Sequence, residues 1–163
     1  EVKQLISIKN YEHAKDKLLT FFSQNEGDVI AIALYLECLL SQKEFKEINE
    51  FLASLDEEMK KQTEIKKIIK KLKIIEESKK NGSIDKLIEK HKKEPQNIQI
   101  ILEISEYYFS EGDYESSFST LINNYYKNKE KIKKQLVEFF EALGNEHEST
   151  KTYRKKLSSL IFS

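Results

Sequence analysis

The residues of this chain that could do chemistry are few and poorly spaced for it. Its one cysteine, Cys38, lies within the run YLECLL. A reactive thiolate needs an electropositive, partly exposed setting, and this run belongs to the most apolar stretch of the chain, so the thiol reads as buried and inert. His13, His91 and His147 stand far apart, with no cysteine or carboxylate at metal-ligand spacing from any of them. They read as surface residues, and no metal site is expected. The carboxylate groups Glu76-Glu77 and Asp56-Glu57-Glu58 could in principle serve acid–base work, but a helix surface or a helix start accounts for both. No glycine-rich phosphate loop, nucleophile elbow or CxxC is present. The chain therefore reads as non-enzymatic, with no catalytic residue and no cofactor.

Binding is the chemistry that is left, and charge is its first guide. Formal net charge is zero, yet residues 60–93 carry thirteen lysines against five acids, while residues 94–126 carry six acids and no Lys or Arg. A basic nucleic-acid surface is one reading of that asymmetry. Against it, arginine appears once, aromatic residues are not interleaved with the lysines, and the acidic neighbour would repel phosphate. Complementary solvated faces on adjacent helices explain the pattern better, so nucleic acid is not an expected partner. No apolar run approaches the roughly eighteen residues of a membrane span, and no secretory leader pattern is present. With a single cysteine that cannot close an internal disulfide, a cytoplasmic setting without a membrane partner is expected.

The elements that must position any binding surface are clearest in residues 94–126, EPQNIQIILEISEYYFSEGDYESSFSTLINNYY. Pro95 suits the first turn of a helix, where its missing N–H would have no partner. Ile98, Ile101, Leu102, Ser105, Tyr108 and Phe109 recur at spacings of three and four, one apolar face of a helix. Gly112 can take the left-handed conformation that ends it, and Asp113 sits where a carboxylate caps the next. Tyr114, Ser117, Phe118, Leu121, Ile122 and Tyr125 form a second apolar face. Two amphipathic helices across so short a turn must pack antiparallel as an αα-hairpin.

Such a hairpin cannot bury both faces alone, and copies of it recur along the chain. Tyr11 with Ala14 and Leu18, Phe45 with Ile48 and Leu52, Ile84 with Leu87, and His147 with Thr150 and Tyr153 repeat the turn-plus-helix signature of Tyr114. Tyr11 and Phe45 are 34 positions apart, and Phe45 and Tyr114 are 69 apart. A period of about 34 is that of the tetratricopeptide repeat. With only four glycines and one proline, the spacing predicts the end of an entering helix over 2–8, helices over 10–23, 29–40 and 44–55, one long lysine-rich helix over 57–80, and helices over 84–91, 129–143 and 147–162, besides the hairpin. Residues 29–40 are apolar nearly all round, as a helix covered on both sides would be. The expected fold is all α, a TPR-like stack of antiparallel helix pairs (an α-solenoid) of about eight or nine helices. Its expected core includes Leu34, Leu39, Phe45, Ile101, Leu102, Phe118, Leu121 and Phe139. The whole of 1–163 reads as a single TPR-like helical domain, with repeat units roughly 1–27, 28–56, 57–93, 94–127 and 128–163. Glu1 falls within helical sequence and is not a methionine, as in a piece of a longer protein.

NIQIILEISEYYFSEGDYESSFSTLINNYYKNKE, followed by IKKQLVEFFEALGNEHESTKTYRKKLSSLIF, resembles the C-terminal helical domain of the CnoX (YbbN) type of thioredoxin-like co-chaperone, the chaperedoxins. The carrying features are the ALG turn, a short polar spacer, the YR(K/R)xL core and an apolar terminus. Residues 84–162 carry the resemblance, residues 1–55 only as generic repeats, and the lysine-rich middle departs from it in composition. It implies an upstream thioredoxin-like domain, missing from this chain, and a helical domain that holds unfolded or oxidation-damaged client proteins and docks on a GroEL-type chaperonin. The other reading is a generic TPR-type scaffold that recognises one folded partner or peptide, with no chaperone role. At the C-terminal end, Thr150, Tyr153, Leu157, Leu160 and Ile161 fall in one stripe of about 100°, and Phe162 lies outside it beside Lys151 and Lys155. A terminal repeat presents a polar outer face. One reading of Phe162 is a frayed end with its ring folded back on the core; the other, which the resemblance implies, is that Arg154, Lys155, Leu160, Ile161 and Phe162 form an apolar-and-basic helix end that docks on the chaperonin.

Overall fold

Every residue from 1 to 163 is described by the computed structural model of the chain, which contains eleven α-helices, one 3-10 turn and no strand. It divides into two compact units, Glu1–Ile69 and Lys70–Ser163.

The first unit holds α1 (Val2–Ser7), α2 (Tyr11–Phe22), α3 (Val29–Ser41), α4 (Phe45–Ser54), α5 (Glu57–Lys60) and the start of α6 (Thr63–Ser78). Asp28 begins α3 by accepting the Ala31 N–H at 2.8 Å, which satisfies one of the donors that a helix start leaves unpaired. Ala14, Leu18, Ala31 and Cys38 are buried together, and Leu36, Leu39 and Ile48 are fully buried. Tyr35 packs between Phe22 and Phe51, with ring centroids at 5.7 and 5.1 Å. Lys15, its side chain only 12% exposed, reaches Glu44 at 3.0 Å and Glu12 at 3.2 Å, tying α2 to the start of α4. Burial pulls its ammonium pKa down, but the hydrogen bonds it donates to Glu44 and Glu12, together with the attraction of their charges, outweigh burial and leave it raised. Two turns here close through left-handed lysines, Lys9 (φ 60°) and Lys43 (φ 61°). They occupy the same place before Tyr11 and Phe45 that Gly112 (φ 78°) occupies before Tyr114.

The second unit holds the rest of α6, α7 (Ile84–Lys93), α8 (Ile98–Ser110), α9 (Tyr114–Asn123), a 3-10 turn at Tyr125–Lys127, α10 (Lys129–Leu143) and α11 (Glu148–Ile161). The α8–α9 hairpin is the one its sequence describes: Gly112 is left-handed and Asp113 accepts the Ser116 N–H at 3.0 Å. Ser105 and Ser117, fully buried, sit where the two helices cross, and the Ser117 hydroxyl donates to the Ser105 carbonyl at 2.8 Å. An aromatic core joins α8, α9, α10 and α11. Phe109 lies 4.5 Å from Phe139, and Phe118 lies 5.5 Å from Phe140 and 5.2 Å from Tyr153.

Several expectations change. The long helix over 57–80 is two helices: Asp56 caps the single turn of α5 through the Met59 N–H, and the Gln62 carbonyl starts α6 by accepting from Lys66. No glycine or proline marks that break. The chain thus has eleven helices where eight or nine were expected, and α1 stands where residues 2–8 read as the end of an entering helix. Pro95 lies in the turn before α8, whose cap is Asn97. A residue preceding proline is pushed out of the helical region, and Glu94 accordingly ends α7 at φ −129°, ψ 66°. Leu39, Ile101, Phe118, Leu121 and Phe139 are fully buried as expected, but Leu34, Phe45 and Leu102 are half-buried at the margins of their helices' apolar faces. Residues 29–41 are not covered all round, since Ile30 is 58% exposed.

Candidate functional site

Helix α11 is set by its cap and by its inward face. His147 caps it, Nδ1 accepting the Ser149 N–H at 3.2 Å, and its ring meets Tyr114 edge-on at 5.2 Å. This histidine is half-buried, as is His91, so only His13 of the three is a fully exposed surface residue. Thr150, Tyr153 and Leu157 are buried. The Tyr153 hydroxyl donates to Glu115 Oε1 at 2.6 Å, locking α11 to α9. Burial, with the Glu115 carboxylate second, pushes that phenol up to about 12, so it remains a donor.

The five residues expected to dock divide by direction. Leu160 is half-buried and packs on the aromatic core, and the Arg154 guanidinium lies 5.5 Å from the Phe140 ring centroid. Ile161 is 38% exposed and Phe162 is 84% exposed. Lys155 and Phe162, seven residues apart, share one outward face of the helix, two turns from each other. Lys156, which the sequence did not single out, stands 4.4 Å over the Tyr153 ring and extends the basic surface.

On the second unit the helices α6, α8 and α10 are joined by polar contacts. Lys70 pairs with Glu141, Ser78 Oγ donates to Ser110 Oγ at 3.2 Å, and Glu106 accepts from Asn81 at 2.8 Å and from Gln135 at 3.2 Å. Burial raises the Glu106 pKa against the lowering effect of those two amides, and Glu77 and Glu103 add to the rise. Nothing in the sequence flagged Glu106. It stands on the polar stripe of α8 with Gln99, Glu103 and Ser110, and only the tertiary approach of Asn81 and Gln135 makes it different.

The candidate chemical groups take structural roles. Cys38 is fully buried, and burial pushes its thiol up to about 11, so it stays protonated at neutral pH. Asp56 caps α5, and Glu57 and Glu58 pair with Lys60 and Lys61, both at 3.0 Å. No group of three or more histidine, cysteine or carboxylate side chains is placed to hold a metal ion. No helix is long and apolar enough to cross a membrane.

The family profile described as Tetratricopeptide repeat matches residues 77–162, more than half of the chain. No curated protein matches it. Among solved structures, a domain of a Vibrio parahaemolyticus protein of unknown function is similar at 22% identity, over 98% of this chain and 95% of that one, with a TM-score of 0.45.

Proposed function

The chain belongs to the tetratricopeptide repeat family, and on that premise we propose that it is the non-catalytic protein–protein interaction domain of a thioredoxin-like co-chaperone. In this reading it holds unfolding or oxidation-damaged clients and docks on a GroEL-type chaperonin through the free end of α11. The observation that carries the proposal is Phe162, a large apolar ring 84% exposed beyond a helix whose inward face is already filled by Thr150, Tyr153 and Leu157. Large aromatic side chains anchor interfaces because they bury much area at little conformational cost. Lys155 on the same face and Arg154 and Lys156 beside it supply a cationic rim. The likeness of residues 84–162 to the chaperedoxin helical domain supports the choice of partner.

Because Leu160 also packs on the core, removing residues 160–163 would disturb folding as well as docking. Phe162→Ser is the cleaner variant. The expected result is a chaperonin affinity weakened by about tenfold or more in a calorimetric titration, with an unchanged thermal melt. Binding at wild-type affinity moves the dock elsewhere. The chain should also suppress light scattering by a thermally unfolding client. Failure to do so, with tight binding to one folded partner, would instead make this a scaffold with no chaperone role.

A further inference from the structure

The first unit carries an open groove of about 780 Å³ between α1, α2 and the start of α3. Its floor and walls are apolar, with Leu18 and Leu34 below and Phe21 and Ile30 at the lip. Phe21 is 40% exposed and Ile30 58% exposed, although both stand on helices whose other large apolar residues are mostly covered. Scattered single apolar residues need no explanation, but two large ones on facing walls of one groove form a patch that water disfavours.

The charges around that patch are not balanced. The charged side chains lining it are three carboxylates, Glu1, Asp16 and Asp28, and one ammonium, Lys17. Lys17 is already engaged with Glu1 at 2.8 Å. The groove therefore presents an apolar strip with an acidic border, and its complement is a segment with one apolar face flanked by lysine or arginine. An acidic segment would meet like charge at Asp16 and Asp28, and a wholly polar one would leave Phe21 and Ile30 in water.

We propose that this groove binds a short amphipathic, cationic segment of a client polypeptide, seated with its apolar face on Phe21, Ile30 and Leu34 and its basic side chains toward Asp16 and Asp28. The proposal rests on the reading of this domain as one that holds clients, and it gives that reading a place and a preference. The apolar strip supplies the affinity, and the acidic border supplies the selection and a salt dependence.

The test uses the whole 163-residue chain and two fluorescein-labelled peptides about fourteen residues long, roughly four helical turns. Both place leucine at helical spacing, one with lysine and the other with glutamate on the remaining positions. Fluorescence anisotropy should show the lysine peptide binding, more weakly as salt rises, and the glutamate peptide binding at least about tenfold more weakly. Ile30→Ser should weaken the lysine peptide about tenfold, and Asp16→Lys should weaken it while improving the glutamate peptide. Both positions are exposed, so circular-dichroism melts of the variants should match the parent. Equal binding of the two peptides, or unchanged binding by Ile30→Ser, overturns the proposal. So does a concentration-dependent dimer in sedimentation that Ile30→Ser abolishes, which would give the groove to a second copy. If the chain suppresses client aggregation while the lysine peptide fails to bind, the groove is wrong and the client-holding reading survives. If the peptide binds as expected and aggregation is not suppressed, the groove stands and the client-holding reading falls.

Discussion

Lys43 holds a left-handed backbone that its β-carbon disfavours, at the place in the repeat where Gly112 sits without that penalty. Lys43→Gly should therefore stabilise the chain by up to about 1 kcal/mol, the left-handed penalty less the extra freedom glycine gives the unfolded state. Gly112→Ala should cost about the same amount, because a β-carbon there meets nothing within 4 Å and the whole effect is backbone strain. Thermal melts of the two variants should move in opposite directions. The glycine was readable from sequence because only it takes this conformation freely. The lysines were not, since a lysine announces no such turn. Glu106 was equally hidden, and it carries a pH dependence. Its folded-state pKa lies above its ordinary 4.5 because of burial, so the folded chain holds that proton more tightly. Its contribution to stability is thus greatest below pH 4.5 and declines as pH rises through the raised value. Glu106→Gln, with Asn81 or Gln135 turning its amide to match, should flatten that part of a stability–pH curve. An unchanged slope would remove Glu106 as its source.

Helices with strong local signals were the most legible elements. The α8–α9 hairpin announced its turn, its cap and both apolar faces, and Phe118, fully buried and packed among five other rings, shows why. Phe118→Ala should cost about 3 to 5 kcal/mol in chemical denaturation, and Leu102→Ala, at a half-buried position, should cost less than the about 2 to 5 kcal/mol of a fully buried leucine. The break between α5 and α6 was not legible, because Lys-Lys-Gln-Thr is compatible with continuous helix and only the Asp56 cap and the turn at Gln62 separate the two. The start of α8 was misplaced for a related reason: proline serves a helix start and the turn before it equally well, and the asparagine two residues on was the stronger cap. At α11, Tyr153→Phe removes the hydrogen bond to Glu115 while keeping the ring in place. About 1 kcal/mol of destabilisation is expected, modest because Glu115 stays exposed to water.

At the scale of the molecule, the repeat period was visible in the spacing of Tyr11, Phe45 and Tyr114, and the all-α architecture followed from it. The groove lip at Ile30 was not visible, because an apolar residue on a helix that is apolar nearly all round carries no sign of which face its neighbours leave open. A linear stack in which each repeat touches only the next can come apart one repeat at a time, because losing an end leaves the remainder intact. The contacts among α6, α8 and α10 work against this in the second unit. Lys70 and Glu141 are 71 positions apart, and Glu106 draws on Asn81 and Gln135 from opposite sides in sequence. Losing the α6–α7 end breaks the Lys70 and Asn81 contacts, and losing the α10–α11 end breaks the Lys70 and Gln135 contacts, so neither end leaves without cost to the remainder. Native-state hydrogen exchange should therefore find the amides of residues 70–78, α8 and α10 opening together with one shared free energy, and Glu106→Ala should split that isotherm into an early and a late group.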